Sequence, residues 1–435
     1  VATIGILAEH KAGEARVPLT PQQMAKLQHT HPNISFEVQK SAQRAFTSEE
    51  FSDRGIPIVA QVSAPFRLAV KEIPLEQVHP GIVYLFFSHT IKGQPYNMPL
   101  LQRFLDQGAT LLDYELIRDR NGRRLVFFGR FAGLAGMVNT LRGYGLRLRA
   151  EGEESPFTML RQAKDYYDLA ELEKDLEKLA KALPDYLKNR SPLVIGIAGY
   201  GNVSKGVQEI LSYLPVRELT PEELLSWKPE SVPELIKVVF KEEHMVEPRD
   251  PGKPFVLQDY YAHPENYRAV FERYLDKLTI LMNCIYWEER YPRLLTKEWV
   301  KKNFLGGSHA LKIVGDISCD IQGAIECNLG ISTSAEPYYV FDPLEERRVN
   351  GVVGQGPVLM AVDNLPTELP RESSHEFGEA LMPFLPTLVG CDFNRTYEEL
   401  DLHPALKQAV IVLRGELTPP FEYLKEFLKN IKPQE

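Results

Sequence analysis

The stretch Leu193-Val-Ile-Gly-Ile-Ala-Gly-Tyr-Gly-Asn-Val-Ser-Lys-Gly206 constrains the fold of this chain more than any other. Leu193 to Ala198 is a short apolar, β-branched run, the pattern of a strand covered on both faces. Gly199 and Gly201 follow where such a strand must turn sharply, and Val207, Ile210, Leu211 and Leu214 then recur at helical spacing. A Gly-X-Gly by itself serves any tight strand–helix turn. Between a buried strand and an amphipathic helix it describes a turn whose backbone N–H groups come close to a pyrophosphate, because no Cβ stands in the way. A third glycine is expected at 204, where the chain has Ser204; Gly206 lies two residues further on. Pro215-Val216 opens the next extended segment, and Glu218 at its end has the spacing of a carboxylate that accepts ribose hydroxyls. Such a carboxylate suits NADH better than NADPH, whose phosphate it repels, while Arg217 beside it leaves both open.

At 435 residues, 44% of them hydrophobic, the chain can bury a large core and is expected to form two domains. A net charge of −9, with basic residues scattered along the sequence, argues against a nucleic-acid surface. No apolar run reaches membrane-span length, and Val1-Ala-Thr-Ile-Gly-Ile-Leu7 reads as a strand rather than a signal peptide. The four cysteines show no Cys-X-X-Cys spacing, so neither a metal site nor a disulfide framework is indicated, and a cytoplasmic setting is expected.

Residues 2–8 read as a strand, followed by a polar loop to Thr20, which can cap a helix beginning at Pro21. Strands are expected at Ile34–Val38, Phe66–Val70, Ile82–Phe87 and Ala109–Leu112, with helices starting near Thr47 and spanning 97–107. Gly129 to Arg149, free of proline and rich in small residues, reads as a long connecting helix that permits close packing. Leu169, Leu172, Leu176, Leu179 and Leu183 mark a surface helix burying one stripe, or alternatively the seam of a homo-oligomer. Beyond the glycine turn, strand signals at Ile236–Phe240, Leu278–Met282 and Leu311–Val314 alternate with helical patterns, as in a parallel sheet. Two or three helices are expected after 372, including one over 418–430 capped by Thr418.

Ligands of open α/β sheets bind beyond the carboxyl ends of the strands. Lys71, His89, Asn283, Asp316 and Asp320 all occupy such positions. A lysine and a histidine at the ends of successive strands can form a proton-transfer pair, since the imidazole titrates near neutrality and desolvation brings lysine down toward it. Arg16, in the loop after the first strand, has a planar fork suited to a substrate carboxylate, or to an ion pair with Glu9 or Glu14. Glu115 is placed to pair with Lys71 or to face solvent.

Taken in order, Glu14-Ala-Arg-Val-Pro-Leu-Thr-Pro21, Val70-Lys-Glu72, Phe86-Phe-Ser-His-Thr-Ile-Lys92, Asp113-Tyr-Glu115, Phe128-Gly129 and Ala135-Gly-Met137 resemble the lysine–2-oxoglutarate reductase domain of aminoadipic semialdehyde synthase. Gly201-Asn-Val-Ser-Lys-Gly206, Asn283-Cys-Ile-Tyr-Trp-Glu288, Pro292-Arg-Leu-Leu-Thr296, Asp316-Ile-Ser-Cys-Asp320 and Asp363-Asn-Leu-Pro-Thr-Glu-Leu-Pro370 extend the resemblance along nearly the whole chain. More distantly, it is similar to lysine-forming saccharopine dehydrogenases and to the alanine dehydrogenase/transhydrogenase group. The resemblance implies an α/β fold of two Rossmann-like domains with a cleft between them. Residues 1–133, completed by 362–435, would form the substrate domain, and 134–361 the inserted NAD(P)-binding domain. It also implies condensation of lysine with 2-oxoglutarate and reduction of the imine by NADPH or NADH to saccharopine, or the reverse. Lys71 and His89 would be the acid–base pair, with Glu115 tuning Lys71. Arg16 and Lys92 would hold substrate carboxylates, and Asp320 would lie beside the nicotinamide. Gly199, Gly201, Asn202 and Val203 would form the pyrophosphate turn, with Asn283 and Asp316 as further cofactor residues. The sequence ends where the fused glutamate-forming domain of the bifunctional enzyme would begin, which leaves the physiological direction open. An imine-reducing dehydrogenase for another amino or keto acid is the alternative enzyme reading. A nucleotide-binding regulator without turnover is the other, and the joint presence of Lys71, His89, Arg16 and Asp320 weighs against it.

Overall fold

The computed structural model describes residues 1–188, 190–228, 234–307 and 310–429. They form two compact units, Val1–Phe128 together with the chain from Pro370 on, and Gly129–Leu369. The division falls at 128/129 and 369/370, where the motifs suggest 133/134 and 361/362, because the long helix from Gly129 packs along its whole length into the second unit.

The first unit is built on strands β1 (Ala2–Ile6), β2 (Ile34–Gln39), β3 (Ile58–Val59), β4 (Phe66–Leu68), β5 (Val83–Phe86) and β6 (Thr110–Asp113). They run parallel in the order β6-β5-β4-β1-β2-β3. Helix α1 (Pro21–Thr30) starts as its sequence dictates. The Thr20 hydroxyl accepts from the Gln23 N–H, the Gln23 amide accepts from the Thr20 N–H at 3.0 Å, and Pro21 occupies the first position, where no N–H is needed. Helices α2 (Ser48–Ser52) and α3 (Met98–Asp106) follow. The C-terminal part contributes more than the expected helices. Val410–Leu413 adds to β6 in the antiparallel sense and turns back through Arg414 and Gly415, both with positive φ, into Glu416–Leu417. Thr418 stands at a cap position, yet its hydroxyl donates to the Val410 carbonyl (2.6 Å). The segment after it is two short helical pieces, Pro419–Leu424 and Lys425–Leu428, and residue 430 lies outside the described residues.

The second unit opens with α4 (Gly129–Ala150) and α5 (Leu169–Leu187). Leu172, Leu176, Leu179 and Leu183 of α5 are buried in this unit's own core, as the surface-helix reading expects. Strand β7 (Leu193–Ala198) is buried at all six residues and leads through the glycine turn into α6 (Asn202–Ser212). A Cβ at Gly206 would overlap the Arg130 carbonyl oxygen, and one at Gly133 the Val203 carbonyl oxygen. The glycine displaced from 204 to 206 therefore serves the contact between α6 and α4.

From α6 the chain makes β8 (Val216–Leu219) and β9 (Leu235–Phe240), a small two-stranded antiparallel sheet of β10 (Val246–Pro248) and β11 (Tyr267–Ala269), then β12 (Ile280–Asn283) and β13 (Ile313–Asp316). Strands β14 (Tyr338–Asp342), β15 (Arg347–Asn350) and β16 (Val358–Met360), absent from the sequence reading, complete a sheet ordered β15-β14-β16-β13-β12-β7-β9-β8. β14 is antiparallel to both of its neighbours, β15 and β16, and every other pairing in this sheet is parallel. Strand β8 is the outer edge, and the chain returns from it to place β9 beside β7. Among the described residues no helix is long and apolar enough to cross a membrane.

Candidate active site

In the first unit, polar side chains gather where β1, β4, β5 and β6 end. Glu9, three residues past β1, is half-buried and accepts from the backbone N–H of Val70 (2.6 Å) and of Lys71 (3.0 Å). It thus ties the end of β1 to the loop that carries Lys71 and Glu72. Burial pushes its pKa up to about 7 against the opposing effect of those two hydrogen bonds. Lys71 is half-buried, its Nζ 5.9 Å from the centre of the Phe87 ring. Desolvation lowers its pKa, and the charges of Arg16 and Lys11 add to the effect, while Glu14 and Glu72 oppose it. A lysine so placed gives up its proton more readily than one in water.

His89 lies two residues beyond Phe87 in a left-handed backbone conformation (φ 51°), its ring parallel to that of Phe87. Its Nδ1 is paired with Glu72, which fixes the ring and leaves Nε2 as the second nitrogen. The loop is held from below by Asp113, which accepts from the Ser88 N–H (2.9 Å), the Ser88 hydroxyl (2.5 Å) and the Glu115 N–H (2.7 Å). Beneath lie Phe87, Tyr114, Phe128 and Phe377, with Phe128 and Phe377 stacked at 4.4 Å. The Tyr114 hydroxyl is buried and has no hydrogen-bond partner among the described residues.

Two of the candidate residues are engaged with charged neighbours, Arg16 with Glu14 as its alternative reading expects. Glu115 is paired with Arg124, across a bridge joining Arg118 and Arg124, and the carboxylates whose charge reaches Lys71 are Glu14 and Glu72. Arg16 is 2% exposed, and its Nε and Nη2 bind the two oxygens of Glu14 at 2.7 and 2.6 Å, with the guanidinium 4.0 Å from the Phe128 ring centre. Burial works to raise the Glu14 pKa, but Arg16 outweighs it and holds the carboxyl below its usual range. Glu14 therefore occupies the side-on edge of the fork, formed by Nε and Nη2. Lys92 is exposed on the turn after His89.

In the second unit a cavity of about 340 Å³ opens at the carboxyl ends of β7, β9 and β12, beside the point where the strand order reverses. Gly199, Tyr200 and Gly201 form one wall, with Glu242, Tyr261 and Ile285 among the others. Gly199 has φ +100°, and its N–H donates to the Phe240 carbonyl (2.9 Å). Gly201 has open space where a Cβ would stand, and as the residue before α6 it offers no side-chain cap to the N–H groups of Asn202 and Val203. That is the cradle a phosphate needs, and these residues fit a dinucleotide.

The other nucleotide assignments divide. Asn283 and Asp316 are buried and bonded to each other (2.8 Å), with Asn328 donating to the second oxygen of Asp316 (2.7 Å). Burial pushes the Asp316 pKa up to about 6 even so. They clasp the ends of β12 and β13 and do not line the cavity. Asp320 is exposed on the loop after β13; its charge reaches Tyr286, a lining residue. Glu218 lies on the outer strand β8, paired with Lys237 (2.9 Å), away from the lining. Glu242, two residues past β9, lines the cavity, and β9 rather than β8 adjoins β7. Among the described residues no group of three or more His, Cys, Asp or Glu is arranged to hold a metal ion.

Residues 5–135 match the family model of the alanine dehydrogenase/PNT N-terminal domain. The resemblance read from the motifs holds along almost the entire chain. It is 37% identical to alpha-aminoadipic semialdehyde synthase of Arabidopsis thaliana over 99% of this chain and 42% of that protein, so the chain spans less than half of that relative's length. It is 26% identical to the lysine-forming, NAD(+)-named saccharopine dehydrogenase of Emericella nidulans, over 92% of this chain and 95% of that one. In fold it is similar to an L-alanine dehydrogenase structure with a TM-score of 0.63 at 15% identity, covering 98% of this chain and 99% of that one.

Proposed function

We propose that the chain is an oxidoreductase that joins L-lysine to 2-oxoglutarate and reduces the resulting imine with NADH or NADPH to saccharopine, or runs the same reaction in reverse. The observation that carries this reading is the group Lys71, Glu72 and His89, brought together at strand ends over an aromatic floor, in a chain similar throughout to alpha-aminoadipic semialdehyde synthase.

An amine attacks a ketone only when neutral, and the carbinolamine that forms loses its hydroxyl only as water. The site therefore has to remove one proton and supply another. Lys71, with its lowered pKa, is the acceptor for the ammonium proton, and His89, fixed through Nδ1 by Glu72, presents Nε2 to the departing hydroxyl. Arg16 acts through its charge, keeping Glu14 ionised and Lys71 easier to deprotonate. Lys92, exposed on the next turn, attracts a substrate carboxylate. Gly199, Gly201, Asn202 and Val203 would hold the reduced nucleotide, which would supply the hydride, with Asp320 beside its nicotinamide.

The test is oxidation of NADH and NADPH by the chain with lysine and 2-oxoglutarate, with the product identified by mass. The double variant Lys71→Met/His89→Gln is expected to lower kcat by about 10²–10⁴-fold. Turnover within a few-fold of the parent would falsify the acid–base assignment. Turnover only with another amino or keto acid would move the reading to a related dehydrogenase.

A further inference from the structure

We propose that Asn97 and Tyr423 are positioning residues for His89, holding the turn after β5 in the one backbone form that presents the imidazole to the reaction. Their role rests on the acid–base reading above and deepens it.

His89 has φ 51°, a left-handed conformation that a residue with a Cβ keeps only where its surroundings hold it. Asp113 ties down Ser88 before it, and Glu72 holds its ring, but neither bond reaches the peptide group that follows. Asn97 does reach it. This residue stands at the N-cap of α3, where an asparagine side chain ordinarily accepts from a helix N–H. It makes no such bond. Buried at 6% exposure, it donates from Nδ2 to the His89 carbonyl oxygen at 3.1 Å. That carbonyl belongs to the peptide group that has to rotate if His89 relaxes to an ordinary conformation.

Tyr423, in the segment Pro419–Leu424, grips the same turn two residues on. Its hydroxyl donates to the Ile91 carbonyl at 2.6 Å. Phe427 lies against the next bend, where Gly93 has φ +62° and a Cβ would fall within the phenylalanine ring. The turn's internal bonds run from the Gly93 N–H to the Thr90 carbonyl (3.0 Å) and between the Ser88 and Thr90 hydroxyls (2.8 Å). Two side chains from outside the turn thus fix two of its carbonyls, one of them that of the strained residue itself. An imidazole displaced by about 1 Å costs up to about 100-fold in rate.

The test uses the full chain with Asn97→Leu and Tyr423→Phe, each made in the parent and in His89→Gln and first checked for cooperative unfolding. Tyr96→Phe is the control, because it deletes a hydroxyl from the same region that bonds only the Gln94 side chain (2.6 Å). Two quantities are read: kcat and KM with lysine, 2-oxoglutarate and NADH, and the His89 ring resonance in isotope-labelled histidine, assigned by its loss in His89→Gln. Asn97→Leu and Tyr423→Phe are each expected to lower kcat by about 10–100-fold with KM within about 3-fold of the parent, and to shift or broaden the His89 resonance. In His89→Gln the same substitutions are expected to lower kcat by less than about 2-fold, since they act through an imidazole no longer there; a merely structural weakening lowers it in both backgrounds. Tyr96→Phe is expected to leave rate and resonance as they are. An unmoved His89 resonance overturns the assignment whatever the rates do. So do a kcat within about 2-fold of the parent, equal losses in both backgrounds, or the same loss in the control. If Asn97→Leu does not fold, Tyr423→Phe decides, since it removes a single oxygen from a residue 46% exposed. Absence of turnover in the parent overturns the acid–base reading instead, and the resonance, which needs no substrate, still decides whether the two side chains hold His89.

Discussion

Glu9 carries the clearest pH signature among the site residues. Its pKa, 4.5 for a free carboxyl, is pushed up to about 7 by burial, so the folded chain holds this proton more firmly than the unfolded chain does. The resulting stabilisation is complete below pH 4.5 and is lost as pH rises through 7. At about 1.4 kcal/mol per unit of pKa, the loss is about 3 kcal/mol. Glu9→Gln removes the titration while costing one acceptor for the Val70 or Lys71 N–H. Urea unfolding between pH 5 and about pH 8 is therefore expected to show the variant gaining on the parent as pH rises; parallel profiles would remove Glu9 as the titrating group. At this scale the sequence is a partial guide. Lys71 and His89 stand out because strand ends are where sheets do chemistry. Their carboxylate partners do not, since proximity to Lys71 is decided by how the loops after β1 and β4 fold back. That folding brings up Glu14 and Glu72 and sends Glu115 to Arg124.

The contact of α4 with α6 shows what an element demands of its sequence. Gly206 and Gly133 each face a backbone carbonyl oxygen of the other helix with no room for a Cβ, so the helices approach as closely as their backbones permit. Gly206→Ala has to push α6 outward, and backbone on both sides leaves no flexible side chain to yield. The expected cost is about 1–3 kcal/mol, read as a lowered urea midpoint with an unchanged slope. An unchanged midpoint would mean the helices separate freely. The fingerprint read along the sequence places this glycine two residues early, because spacing alone does not say which neighbour it must admit. Strand order escapes the sequence for a related reason. The step from β7 to β8 looks like a step to the next strand, yet β8 is the sheet edge, with Glu218 in mid-strand opposite Lys237, and β9 takes the inner place. The β14–β15 pair and the Val410–Leu417 hairpin are antiparallel additions at sheet margins, where no intervening helix marks them, and β16, parallel to β13, is only three residues long.

At the scale of the whole molecule, the chain has separate hydrophobic cores, one in the first unit and two flanking the sheet of the second. This division was legible from the mid-chain glycine turn and the run of strand signals on either side of it, since each parallel sheet needs its own apolar cover. It also means that a ligand gripped by one unit stabilises that unit's own backbone first. A ligand present at about 100 times its Kd contributes about 2.7 kcal/mol to the state that binds it, which slows exchange through local opening by about 100-fold. Hydrogen-exchange mass spectrometry with NADH is expected to show that slowing in peptides covering Gly199–Lys205 and Phe240–Met245, where the glycine turn, the start of α6 and Glu242 meet. Strand β2 of the first unit, whose partners are β1 and β3, is expected to exchange as before. Slowing confined to β2 and its neighbours, with Gly199–Lys205 unmoved, would place the nucleotide on the wrong sheet. Uniform slowing throughout would mean that opening is global, so that exchange reports the stability of the whole chain and not the location of the ligand.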